Sequence, residues 1–149
     1  MYTDEAKIRK AKVMLRNAYD NIKYGDQESL SVACHLIQMA CELALKQIYV
    51  YYGKDFAQVH TIWDLVESLP DDQDILSADL IEQLEDRAET ITSWKQNPKY
   101  DDRFNIRVDT INRYLNTVVL LVDSVSKAVI KDENDSISNR KFLSRLEFK

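Results

Sequence analysis

SLSVACHLIQMACELALKQIYVYYGKDFAQVH, residues 29–60, decides the fold. Leu30, Ala33, Ile37, Ala40, Ala44 and Ile48 recur at three- and four-residue steps, the period of one helix face. Leu36, Met39, Leu43 and Val50 form a second apolar stripe on the far side. A surface helix needs one apolar stripe, so two opposed stripes describe a central helix enclosed by neighbours. Ala33, Ala40 and Ala44 leave room for one neighbour to come close. Gly53 supplies the left-handed residue that closes such a helix, and a second helix opens at His60.

Working outward, the two glycines and two prolines of the chain, Gly25, Gly53, Pro70 and Pro98, all fall between periodic segments. The first helix starts at about Thr3, an N-cap residue, with Asp4 and Glu5 favouring its positive end. It presents Ile8, Ala11, Leu15, Ala18 and Ile22 inward and stops at Gly25. The third runs from His60 to Ser68 through Ile62, Leu65 and Val66. The fourth runs from Ser77 to Lys95 through Leu80, Leu84, Ala88 and Ile91. Asn97-Pro98 breaks the pattern, and Lys99 to Arg103 reads as a loop. The fifth runs from Asn105 to Lys131 through Val108, Ile111, Leu115, Val118, Val122, Val125 and Val129. Its β-branched residues lower helix propensity, but the period outweighs them. The expected fold is all-α, a four- to five-helix up-and-down bundle over residues 1–131. Residues 132–149 form a flexible tail, whose last ten residues have the pattern of a short docking helix.

At 149 residues the chain makes one domain with an ample core. A net charge of -5 excludes a general nucleic-acid coat, which relies on clustered Lys and Arg over the whole surface. Cys34 and Cys41, seven residues apart on a helix, have Cα atoms roughly 10 Å apart, beyond disulfide reach. They read as buried thiols in a reducing cytoplasm. No run is apolar enough for a signal peptide or a membrane span. Neither a metal nor a cofactor is expected. Val32 and Ala57 stand three residues before His35 and His60, so the Glu-x-x-His pattern of a di-iron bundle is missing. Isolated glycines build no phosphate loop.

Two candidate sites remain. On the second helix His35, Gln38, Glu42 and Lys46 share a polar stripe, which is either a solvent face or the wall of a partner groove. Glu42 and Lys46 are an (i, i+4) pair. The loop entering the fifth helix interleaves cations and aromatics: Trp94, Lys95, Lys99, Tyr100, Arg103, Phe104, Arg107 and Arg113. That mixture suits phosphates and bases, with Lys99, Tyr100, Arg103 and Arg107 as the binding set. Arg103 and Arg107 sit at the unfavourable end of a helix for a cation. Either a bound anion offsets this, or Asp101, Asp102 or Asp109 does. His60 is a capping or core histidine, or else a general base.

The run from Ala33 to Gly53, followed by VHTIWDLVESL, resembles the HEPN family of small helical domains. Gln38, Ala40, Glu42, Leu45, Lys46 and Gly53 carry the resemblance, with His60 and Leu65 at the family's spacing. AKVMLRNAYDNIKYGD fits the family's opening helix, and the resemblance spans about residues 5–130. It implies a bundle that forms a homodimer and pairs with a nucleotidyltransferase-type protein in toxin–antitoxin or defence systems. Active members are metal-independent ribonucleases with an arginine, four to six residues, then a histidine near the start of the last helix. Here the positions after Arg103 hold Val108, Asp109 and Thr110, and those after Arg107 hold Asn112, Arg113 and Tyr114. The expectation is therefore a non-catalytic interaction module for a protein partner, RNA or nucleotide. The alternative is a ribonuclease completed in space by Arg103, Arg107 and His60. A third reading is an adaptor that docks through Phe142 to Phe148.

Overall fold

The computed structural model describes residues 4–56, 61–95 and 105–130, and all its regular structure is helical. Five helices follow in order: α1 Ala6–Tyr24, α2 Gln27–Tyr51, α3 Ile62–Glu67, α4 Ala78–Ser93 and α5 Val108–Val129. The all-α bundle read from the sequence is the fold. α2 is its centre and packs against each of the other four helices, most extensively α1. Ala11 and Ala18 of α1 and Ala33, Ala40 and Ala44 of α2 are all fully buried, as a close approach of two helices requires.

The second packed face of α2 differs from the expected one. Cys34, Cys41, Leu45 and Tyr49 are buried, whereas Leu36, Met39, Leu43 and Val50 are only half-buried. The difference follows from α3, to which the Tyr49 hydroxyl donates at the Leu65 carbonyl, 2.7 Å away. A phenol buried there needs that acceptor.

Both helix-ending glycines have positive φ, 78° at Gly25 and 69° at Gly53. After α2 the Gly53 N–H donates to Val50 and the Lys54 N–H to Tyr49, the paired bonds of a Schellman ending. The start of α1 is satisfied from afar. Buried Gln47 of α2 accepts from the Ile8 N–H at 3.0 Å and donates to the Asp4 carbonyl at 2.6 Å. Thr3, read as the cap, lies outside the described residues.

Ends of three helices shift from the sequence reading. α3 begins at Ile62 because Thr61 is its cap, with the side chain accepting from the Asp64 N–H at 3.0 Å. Ser77 caps α4, which stops at Ser93 rather than continuing through Lys95. α5 begins at Val108 and ends at Val129. Val118, Val119, Val122 and Val125 are buried in it, so packing overrides their modest helix propensity.

Candidate functional site

The polar stripe of α2 and the end of α4, two separate candidates in the sequence, meet. His35 Nδ1 lies 3.1 Å from the Trp94 carbonyl. A carbonyl only accepts, so Nδ1 carries a proton and donates to it. One turn on, Gln38 is nearly fully buried and donates through Nε2 to Glu42 Oε1 at 2.8 Å. Lys46 Nζ sits 2.7 Å from Glu42 Oε2, and Lys95 Nζ 3.7 Å from Oε1. Glu42 is therefore the hub of the cluster.

Burial pushes the Glu42 carboxyl up, but the hydrogen bond and charge of Lys46, the Gln38 amide and the Lys95 charge outweigh it and hold the carboxyl below its ordinary value. The group is ionised at neutral pH and acts as an acceptor, not as an acid. Two ammonium groups, those of Lys46 and Lys95, thus face the one carboxylate. Lys46 also lies 5.3 Å from the centre of the Phe56 ring, and Lys7 of α1 lies 5.4 Å from it. Trp94 is buried and stacks edge-on against Tyr114 of α5, with centroids 5.1 Å apart. The stripe is thus neither a bare solvent face nor a simple apolar groove. It is a half-buried polar seam joining α2, α4 and, through Trp94, α5.

Arg107 stands apart from this seam. It occupies the N-cap position of α5, is well exposed and lies 3.6 Å from Asp109. That carboxylate offsets the cation at the helix start without any ligand. Arg113 is exposed and reaches the Thr110 hydroxyl at 3.5 Å. Lys99, Tyr100, Arg103, Phe104 and His60 lie outside the described residues, as do Phe142 to Phe148. Gln27 holds the entry to α5: its amide accepts from the Ile106 N–H and donates to the Ile106 carbonyl, both at 3.0 Å. Sequence reasoning did not single out Gln27, because nothing local marks a partner 79 residues away.

Asn112, five residues after Arg107, has its side-chain Oδ1 buried without a hydrogen-bond partner among the described residues. The cysteines offer no nucleophile. Burial pushes the Cys34 thiol up to about 12 and Cys41 further, the latter also by the Glu42 charge. Among the described residues no three His, Cys, Asp or Glu side chains gather as a metal site. No described helix is long and apolar enough to cross a membrane.

The family model described as HEPN domain matches residues 5–146. The crystal structure of TT1696 from Thermus thermophilus aligns with a TM-score of 0.64 at 24% identity, covering 83% of this chain and 95% of that one. At that identity the likeness shows the fold. No curated protein matches the chain.

Proposed function

The chain belongs to the HEPN domain family, and from that premise we propose that it is a non-catalytic binding module of a toxin–antitoxin or defence pair. It works as a homodimer in the cytoplasm. His35, Gln38, Glu42 and Lys46 line the seam on which a nucleotidyltransferase-type partner seats. Lys99, Tyr100, Arg103 and Arg107, at the entry to α5, receive the phosphate of RNA or of a nucleotide.

One observation carries the non-catalytic reading. None of the positions at which the resemblance allows the proton-moving histidine of active members holds one: Val108, Asp109 and Thr110 follow Arg103, and Asn112, Arg113 and Tyr114 follow Arg107, with Asn112 at the first of these. A carboxamide neither takes up nor releases a proton near neutral pH, so general base catalysis at that place is lost. Phosphate binding survives such a change, because it needs only cations and donors.

Native mass spectrometry of the protein isolated gently from its own cells tests the proposal. The expected result is a dimer carrying a second polypeptide or an oligonucleotide. An RNA cleavage assay in EDTA completes it. Turnover that disappears in Arg107→Ala or His60→Ala would overturn the non-catalytic reading and restore the atypical ribonuclease built on Arg103, Arg107 and His60.

A further inference from the structure

The net charge of -5 conceals a separation of charge. α1 carries Lys7, Arg9, Lys10, Lys12, Arg16 and Lys23 against a single carboxylate, Asp20. Residues 61–95, which include α3 and α4, carry ten acidic side chains against Arg87 and Lys95. α1 packs on α2 and α5, and these two helices lie between it and the α3–α4 pair. One side of the molecule is therefore basic and another acidic.

The basic side has order. Arg9, Arg16 and Lys23 recur every seven residues, so they follow one line along α1, about 10 Å apart. All three are exposed, as are Lys10 and Asn17 on the opposite flank of the same face. Arg9 is paired with Glu5 at 2.7 Å, Arg16 also has a partner, Lys23 Nζ lies 5.4 Å from the centre of the Tyr19 ring, and Asp20 lies between the flanks. Tyr24 ends this face with 79% of its surface exposed. With Asp20 and Lys23 it lines a surface hollow of about 460 Å³. Among the described residues the ring is no part of the core or of the hydrophobic residues packed against it.

We infer that the outer face of α1 binds single-stranded nucleic acid, with phosphates along Arg9, Arg16 and Lys23 and a base stacked on Tyr24. A row of cations recognises a polyanion whatever its sequence. An exposed ring next to that row recognises an unpaired base, whose π-face a duplex keeps hidden. Its residues are other than those of the phosphate set proposed at the entry to α5, and each set is tested by its own variants.

The test is fluorescence anisotropy with a labelled single-stranded oligonucleotide of about 12 nucleotides, as RNA and as DNA, against a duplex of the same length. Three phosphate contacts predict a roughly twentyfold loss of affinity between about 50 and 200 mM salt. Arg16→Ala should lower the log–log salt slope by about 0.7. Tyr24→Ala should weaken binding about 5- to 150-fold, while Tyr24→Phe keeps the affinity. Both positions are exposed, so the variants fold. Binding of RNA and DNA alike supports a backbone-and-base site, and binding of RNA alone supports the same face with a 2′-OH contact. The inference is overturned if wild-type protein binds no oligonucleotide at low salt, or if duplex binds as well as single strands. It is also overturned if only Arg107→Ala reduces binding, a result that would leave the α5 entry as the phosphate site. Salt-sensitive self-association lost in Arg16→Glu, without oligonucleotide binding, would assign the face to the acidic side of a second copy instead.

Discussion

Replacing Glu42 by Gln removes one charge from the hub of the α2–α4 seam and leaves its shape. In the wild type the carboxylate accepts from Lys46 at 2.7 Å and Gln38 at 2.8 Å, with Lys95 at 3.7 Å. The Lys46 and Glu42 side chains retain 20% and 19% of their exposure. An exposed (i, i+4) pair contributes about 0.3–0.5 kcal/mol, and breaking a fully buried pair costs about 3–5 kcal/mol. A mostly buried pair that keeps a neutral acceptor after substitution lies between, at about 1–2 kcal/mol. For a domain of this size that lowers Tm by roughly 3–6 °C. Urea denaturation followed by circular dichroism, across a pH series, reads the effect. Because the folded carboxyl lies below its unfolded value near 4.3, its contribution is fully present above that pH and is lost as pH falls through the folded value. The gap between wild type and Glu42→Gln should therefore be constant from neutral pH down to about 5 and close in acid. Coupling to Lys46→Met should be about 0.5–1.5 kcal/mol in a double-mutant cycle. A gap below about 0.3 kcal/mol at pH 7, or one that persists unchanged where wild-type Glu42 is protonated, would refute the assignment of Glu42 as a charged hub.

Gln47→Leu should destabilise by about 1–3 kcal/mol, because the buried Ile8 N–H loses its acceptor; differential scanning calorimetry checks this. Gly53→Ala meets no atom within 4 Å, so only its left-handed φ of 69° is costly. A loss of about 1–2 kcal/mol in urea titration is expected, and a neutral result would mean that the ending relaxes. Cys34 and Cys41 should ignore a disulfide reagent at pH 8 in the native state and both react in denaturant, since burial keeps the thiols protonated.

The fold was legible because each helix has an amphipathic period and each interruption has a breaker. Ile8, Ala11, Leu15, Ala18 and Ile22, assigned inward from spacing alone, are all buried. Helix ends were less legible where distant side chains set them. Gln27 pins Ile106 from another helix, so residues 105–107 stay out of α5 despite a sequence that continues the helical pattern. His35 takes the Trp94 carbonyl just beyond α4 in the same way. The apolar stripe of α2 from Leu36 to Val50 looked as deeply packed as its opposite. Periodicity counts apolar residues and does not say how many neighbours are available to cover them. The site was half legible. The stripe was found, but its partner at Lys95 comes from a segment 53 residues away, and only the packing of α4 on α2 brings the two together.

A central helix is an expensive place for polar side chains, since each buried one must find a partner. α2 nevertheless carries His35, Gln38 and Glu42 along its length and Gln27 at its exposed first turn, and their partners are not spread at random. His35 and Glu42 hold Trp94 and Lys95, just past the end of α4. Gln27 holds Ile106, just before the start of α5. Both ends of the connection between α4 and α5 are thus fastened to the same helix by side chains that an apolar core would not need. What polar side chains add is a fixed position for two backbone points, through directional bonds of about 3 Å. The connection they frame contains Lys99, Tyr100 and Arg103, the cations and ring of the proposed phosphate set. Placing the anchors on the one helix that packs against the other four fixes Trp94, Lys95 and Ile106 relative to the core.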